Sequence, residues 1–344
     1  MSEIKVGLIK KDQSAIGAKL THYGDFKSAK MMLDKDANEY VWKVAFKGNS
    51  FDLYDLAKKH DGILEHTVFS FSIENISRLA VEYLEHHRLA SYLEVSFRKQ
   101  RQLTFYHDKS ITMKENQKCI DREEDIAKQY LALIMKKTLP ENARYMIPLS
   151  VLTSVQLTVN ARAGIRICQD LINADLKEVR DLGNKILRHI QNHFGWKKLL
   201  YMNETKAWNP FVKFALTHKE TRFEIFEPPF RIFEGLVERR KELSTISIEG
   251  YLSDSAISQL RRHRIGSLFI ERLEEADERM LPDGSIVDFK YENEYSAPMG
   301  VMRRFKMFLN LRSYENILDQ RLNKSAQKEI RKFFEKIVSM YEGS

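Results

Sequence analysis

The sequence predicts an α+β fold built as two related halves, and three observations carry that reading. First, HTVFSFSI (66–73) alternates apolar and polar positions, which puts Phe69, Phe71 and Ile73 on one face of a half-buried strand. From Asn75 onward, Ile76, Leu79, Ala80, Tyr83, Leu84 and His87 recur at helical spacing, so a helix follows and delivers the basic run HHRLASYLEVSFRKQR (86–101). Second, the same order returns in TISIEGYLSDSAISQLRRHR (245–264). There a strand around 245–249, a Ser-Asp cap at 253–254 and a helix through Ile257 and Leu260 lead into the basic run RRHRIGSLFIERLEE (261–275). Third, NARAGIRICQDL (160–171) and NLRSYENILDQR (310–321) both read Asn-x-Arg, each at the same spacing after a proline, Pro148 and Pro298. Two features recurring in one order imply an internal duplication. The join is expected in the polar stretch LLYMNETKAWNPF (199–211), which gives domains at 1–203 and 204–344.

Composition narrows the class. A chain of 344 residues, 43% hydrophobic and 30% charged, is long enough for two ordinary cores. No apolar run approaches the roughly 20 residues that span a bilayer, and MSEIKVGLIKKDQ lacks the apolar centre of a signal peptide, so a cytoplasmic location is expected. Two cysteines, Cys119 and Cys168, are too few for a disulfide framework, and neither has a basic neighbour arranged to activate it. The net charge of +8 favours anionic partners without naming them.

Against these motifs, HHRLASYLEVSFRK resembles the signature R-H-R-x-x-S-x-N-E-x-S-x-R-Y of flavin-dependent thymidylate synthases. It keeps His87, Arg88, Ser91, Glu94, Ser96 and Arg98 and departs at His86, Leu93 and Lys99. His60 and Glu65 match the family's His and Glu before the strand, with Gly62 in place of a Thr, and ARYMIP matches A-R-x-x-x-P at Arg144. In the second half QLRRHRIGS is similar to Q-x-x-R-H-R-x-x-S. Asn310, Arg312, Asn316 and Arg321 follow the C-terminal N-x-R-x-x-x-N-x-x-x-x-R, trailed by A-Q-x-E-I-R.

The resemblance implies that each half is a twisted, mostly antiparallel sheet with helices. It also implies chemistry: reduced FAD drives transfer of a one-carbon unit from methylenetetrahydrofolate to C5 of a uracil nucleotide such as dUMP, with NADPH as co-substrate. Family sites lie between subunits of a homotetramer, and here each half keeps one share. The first half has Glu94, Ser96, Phe97, Arg98 and Arg144, but Tyr83, His86 and Leu171 where the family has Gln, Arg and Arg. The second half has Gln259, Arg262, His263, Arg264 and Arg321, but Glu294 in the place of Arg144. The expectation is a fused pseudo-dimer with one live composite site, pairing again as a homodimer.

In that reading Arg321 activates the base through its guanidinium, an oxyanion-type role. Gln259, Arg262, Glu94, Ser96, Phe97, Arg98 and Arg144 hold the nucleotide. Arg262, His263, Arg264, Glu94, Asn310, Arg312, Asn316, His60 and Glu65 hold FAD. Gln259 and Arg262, at i and i+3, are expected to face the same way on one helix.

Plainer readings stand beside these. RRHR alone is ordinarily a solvated helix end. His189 and His193, at i and i+4, have no acid or cysteine to complete a metal set and are expected to pack. Two rival functions are a flavoenzyme acting on another pyrimidine nucleotide, and a non-catalytic nucleotide- or nucleic-acid-binding protein. No aromatic-rich nucleic-acid recognition motif is present, so nucleic acid is not the expected partner.

Overall fold

A computed structural model describes residues 4–11, 29–34, 39–44, 57–58, 61–95, 103–107, 113–196, 207–214, 219–226, 241–263 and 266–342. The first half of the chain contributes β1 (Lys5–Lys11), β2 (Ala29–Asp34), β3 (Glu39–Val44), β4 (Val68–Ser77), α1 (Arg78–Glu85), β5 (Ser91–Glu94) and the long α2 (Met113–Met135). It continues through α3 (Pro140–Ala143), β6 (Leu152–Asn160), α4 (Ala161–Ile172) and α5 (Lys177–Phe194). After it come β7 (Arg222–Phe226), β8 (Thr245–Ser253), α6 (Asp254–Leu260), β9 (Ser267–Ile270), β10 (Glu278–Met280), β11 (Ile286–Asp288), β12 (Met302–Asn310), α7 (Leu311–Arg321) and α8 (Lys328–Glu342). The fold is α+β, with antiparallel strand pairing in its sheets.

The chain forms two compact units. The first comprises Met1–Ile76, Leu89–Val95 and Thr153–Trp208. The second comprises Ser77–Arg88, Ser96–Leu152 and Asn209–Ser344, so α1 and α2 of the first half belong to it. In the first unit the sheet order is β1-β4-β6-β5, and Phe69, Phe71 and Ile73 of β4 are fully buried, as the alternation predicts. On α4 and α5 the residues Ile165, Leu171, Leu182, Ile186 and Ile190 are buried. A Cβ on Gly183 would come within 2.8 Å of the Leu171 Cβ, so the absence of a side chain at 183 lets α4 and α5 approach closely.

The second unit repeats the order as β7-β8-β12-β9. In each sheet an inner strand feeds a short helix through a serine cap. Ser77 Oγ accepts from Ala80 N at 3.0 Å, and Ser253 Oγ accepts from Ala256 N at 3.2 Å. In each, the next strand ends on an asparagine cap, with Asn160 accepting from Ala163 N and Asn310 from Ser313 N, both at 2.8 Å.

The reading of a helix from Asn75 is corrected at its start. β4 runs on to Ser77, through Asn75 at φ 58°, because Ile76 is still a strand residue filling the core, and α1 begins only at Arg78. β8 likewise extends beyond 249 to Ser253.

Within the second unit, two segments cross with reciprocal hydrogen bonds. Leu149 N donates to Ala297 O and Met299 N to Ile147 O, both at 2.8 Å. Ser150 N donates to Tyr295 O at 2.9 Å and Gly300 N to Tyr145 O at 2.8 Å. A Cβ at Gly300 would stand 2.3 Å from Met280 O, so the crossing needs glycine there. The same segments satisfy the first N–H groups of the short helices: Arg78 N donates to Val151 O and Asp254 N to Val301 O.

Buried charge organises this core. Arg303 is fully buried over the Phe211 ring at 4.3 Å and reaches Glu82 at 3.2 Å and Asp254 at 2.7 Å. Arg261 donates to Glu82 at 2.9 Å. Burial pushes the Glu82 carboxyl up, but the Arg261 charge, the Asp254 hydrogen bond and Arg303 outweigh it and hold it well below the usual range. Burial and the Glu82 charge push Asp254 up to about 7. At i and i+7 the two short helices carry opposite polarity: Arg78 faces Glu85 at 3.8 Å, whereas Asp254 faces Arg261 at 3.8 Å.

Residues 227–236 and most of the expected join at 199–211 lie outside the described residues. Among the described residues no helix is long and apolar enough to cross a membrane.

Candidate active site

Four side chains named from the sequence, Arg144, Gln259, His263 and Arg321, meet in the second unit. α6 carries Gln259 in its last turn, 5% exposed, and α7 ends on Arg321. Arg321 Nη2 donates to the Gln259 carbonyl at 2.9 Å and Nη1 to Gln259 Oε1 at 3.3 Å. Its Nε donates to His263 Nε2 at 3.1 Å. Burial, with the Arg321 and Arg262 charges, pushes His263 down to about 4. The imidazole is therefore neutral at pH 7 and accepts from the guanidinium without cancelling its charge.

Arg144 opens a 3-10 turn, Arg144–Met146, and reaches the same cluster through Gln327 at the foot of α8. Arg144 Nη2 donates to Gln327 Oε1 at 2.8 Å and to Ser255 O at 3.4 Å. The Gln259 side-chain amide donates to the same Gln327 oxygen. Gln327 Nε2 donates to Tyr145 Oη at 2.6 Å, and Tyr145 in turn donates to Glu329 at 2.8 Å. Glu329 also takes the Ser253 N–H at 2.7 Å and its hydroxyl at 2.6 Å. Burial raises the pKa of Tyr145 and of Glu329.

Two guanidinium forks and two amides are thus fixed by buried partners before any ligand arrives, an arrangement suited to a planar ligand with anionic oxygens. Gln327, Tyr145 and Glu329 were not singled out from the sequence. Their signal was the A-Q-x-E-I-R segment, which carries Gln327 and Glu329.

Gln259 and Arg262 do not face the same way. α6 stops at Leu260, so Arg262 lies in the turn beyond it and is exposed while Gln259 is buried. The basic run divides by function: Arg261 turns inward to Glu82, Arg262 outward, and His263 onto Arg321. Along α7, Asn310 is the cap, Arg312 pairs with Glu242 at 2.7 Å on the surface, and Asn316 accepts from Gln320 at 3.4 Å. Ser96, Phe97, Arg98, His60 and Arg264 lie outside the described residues.

The positions expected from the sequence to match these in the other half are differently used. Tyr83 is fully buried, edge-on to Phe211 at 5.3 Å, and Leu171 is fully buried. Glu294 opens the 3-10 turn Glu294–Ser296 as Arg144 opens its own. In the first unit Glu94 sits on β5 opposite Val155, and Glu65 is ion-paired to Arg162, which also holds Asp61 at 2.9 Å. His189 bonds to Val6 O at 2.9 Å and His193 stands edge-on to Phe69 at 5.1 Å, both packing roles. Cys168 is buried, and burial pushes its thiol up. Among the described residues no cluster of three or more His, Cys, Asp or Glu is placed to hold a metal.

The family model described as Thymidylate synthase complementing protein matches residues 10–194, just over half of the chain. The chain belongs to this family. A flavin-dependent thymidylate synthase of Sulfolobus acidocaldarius is 38% identical over 116 residues, covering 31% of this chain and 44% of that protein. The corresponding enzyme of Geobacter sulfurreducens is 34% identical over 146 residues, 38% of this chain and 60% of that one. The chain spans about half the length of the curated relatives it matches. Thymidylate Synthase X from Helicobacter pylori, solved with FAD and dUMP, is 18% identical, with coverage of 56% of this chain and 97% of that chain and a TM-score of 0.42. The region matched to the Thymidylate synthase complementing protein family ends within the last turn of α5, so α6, α7 and Arg321 fall outside it.

Proposed function

We propose that this chain is a tandem duplication of the thymidylate synthase complementing domain, 1–203 and 204–344, with one composite site that methylates C5 of a uracil nucleotide such as dUMP. The observation that carries the reading is the run of hydrogen bonds from Arg144, in the first half, through Gln327 to Gln259 and Arg321 in the second. The relatives' names supply the reaction class.

Gln259 and Arg144 orient the base, and Arg262 takes the phosphate. Arg321 donates to the uracil carbonyl as negative charge gathers there, giving up its long 3.3 Å bond to Gln259 Oε1 to do so. Ser96, Phe97, Arg98 and Glu94 complete the nucleotide's surround. FAD, when bound, supplies the reducing equivalents. The residues present suit it: Arg262 is exposed with no partner among the described residues, Arg312 is 61% exposed, and both offer forks to a diphosphate. His263, Asn310 and Asn316 are further holders, with Arg264, His60 and Glu65. Methylenetetrahydrofolate is the donor and NADPH the reductant. Tyr83, Leu171 and Glu294 leave the reciprocal site without its donors. Two chains pair as a homodimer in the cytoplasm.

A second reading, methylation of a different pyrimidine nucleotide, is favoured by Leu93, a 73% exposed apolar residue where the resemblance expects an asparagine. Comparing turnover of several pyrimidine nucleotides separates the two.

The test is an absorption spectrum of the purified protein with flavin counted per chain. About one FAD per chain, lost in an Arg262→Ala, Arg312→Ala variant and kept in a His87→Ala, Arg162→Ala variant, is expected. Two FAD per chain would mean that both sites work. None, with steeply salt-dependent binding to nucleic acid, would favour the non-catalytic binding protein.

A further inference from the structure

A cavity of about 690 Å³ lies in the second unit between α2 and the β10–β11 hairpin, and none of Gln259, Arg262, Arg321 or Gln327 lines it. One wall is a single face of α2 and the turn that follows it, where Arg122, Ile126, Gln129, Leu133 and then Lys136 follow each other at three- and four-residue steps. Leu281 and Phe289, flanking and following the hairpin, form the facing wall. Gly284, at φ 88°, makes the tight turn that folds the hairpin.

The charges here are unusual. Arg279 lies 4.5 Å above the Phe289 ring, and its Nε is buried with no hydrogen-bond partner. Burial and the neighbouring Arg122 charge both push its pKa down, so the two cations repel each other across a partly desolvated space. Asp125 also borders the cavity but is already paired to Lys128 at 3.8 Å. Lys136 marks the far end, roughly 21 Å along the helix from Arg122. Arg279 is part-buried and Arg122 exposed, so the unfavourable charge is that of Arg279, whose buried Nε lacks an acceptor, and an anion beside it lowers that penalty.

We propose that this cavity binds an amphipathic organic anion, its single acidic group held between Arg122 and Arg279 and its apolar body laid along Ile126 and Leu133 against Leu281. The site is independent of the flavin reading. It is built from α2 of the first half and the short β10–β11 hairpin of the second. Met146, which also lines it, closes the 3-10 turn that Arg144 opens, so an occupant presses on that turn.

The full chain is titrated with 8-anilinonaphthalene-1-sulfonate, a naphthalene body with one sulfonate, and with the uncharged N-phenyl-1-naphthylamine. Saturable binding of one sulfonate dye per chain is expected, at least tenfold tighter than the uncharged dye. Arg122→Ala, on the helix surface, weakens it about tenfold, Leu133→Trp blocks it by filling the groove, and Arg321→Ala leaves it unchanged. Equal binding of both dyes overturns the proposal, as does dye binding unaffected by Arg122→Ala and Leu133→Trp. So does loss of binding in Arg321→Ala, which would place the dye at the candidate active site, and so does the absence of saturable binding.

Discussion

Helices α4 and α7 begin alike and end differently. Both start on an asparagine cap at the end of an inner strand, and both carry an arginine two residues later. The last turn of α4 holds Leu171, fully buried and close against Gly183, whereas α7 ends on Arg321, which grips Gln259 and His263. Sequence similarity at the start of a helix therefore says little about the work of its end. What that end meets decides: a neighbouring helix asks for an apolar side chain, and a polar cluster for a donor.

Exchanging the two ends breaks the comparison most sharply. Leu171→Arg buries an unpaired charge beside Gly183 and is expected to destabilise the protein by 5 kcal/mol or more on the order-of-magnitude scale for such groups, enough to unfold it. Arg321→Leu is expected to fold with its melting temperature nearly unchanged and to lose roughly 100- to 1,000-fold in the proposed nucleotide methylation. Thermal unfolding and a methylation assay read both, and a folded Leu171→Arg protein would refute the packing account.

A smaller contrast sets a buried arginine against an exposed one. Arg303→Met leaves Glu82 and Asp254 facing fewer cations, an expected loss of about 3–5 kcal/mol, while Arg312→Met breaks only its surface pair with Glu242 and costs less than about 1 kcal/mol. Denaturant titration of both variants gives the difference directly; equal losses would mean that Arg303 is not needed to neutralise the core.

Protonation sharpens the match between His87 and His263, which occupy the same place in the two basic runs. Burial pushes His87 down to about 3, and burial with two arginines pushes His263 down to about 4. The unfolded chain takes up protons on both below about pH 6.5 while the native state refuses them. Their contribution to stability is therefore expected to fall as pH drops from 6.5 towards 4, by roughly 1–2 kcal/mol per histidine after solvent screening, against an opposite contribution from Glu123, whose carboxyl burial raises to about 7. His263→Gln should remove only its own share of that slope in melting curves taken at pH 7, 6 and 5, the rest staying with His87 and with His86, which burial and Arg261 push down to about 4. The smallest difference should lie between the two caps: Asn160→Ala and Asn310→Ala each remove one, at about 1 kcal/mol apiece by chemical denaturation.

Much of this was legible from residue order. The alternation at 66–73 and the Ser253 cap are local devices, and each appears where its sequence signal lies, whereas the caps at Ser77, Asn160 and Asn310 were not read from the sequence. The facing of Gln259 and Arg262 was not, because it depends on α6 stopping at Leu260, one residue before Arg261 turns into the core. Nor was the buried quartet of Glu82, Asp254, Arg261 and Arg303. Periodicity assigns charges to solvent, and only the tertiary meeting of two acids with two arginines makes their burial tolerable. Gln327 stood within a quoted motif, yet its bridging of Arg144 and Gln259 joins positions 183 apart in sequence.

That same buried quartet has a consequence for how the protein is made. Glu82 and Arg303 are 221 positions apart, which gives the core a high contact order and slow closure. At roughly 5–20 residues per second of synthesis, about 10 to 45 seconds pass between the appearance of the acid and that of its arginine. Throughout that interval α1 is a nascent helix with no finished site to occupy. The last third of the polypeptide sets the pace of folding, and a ribosome-bound chain stopped before residue 303 offers chaperones and proteases an unclosed core.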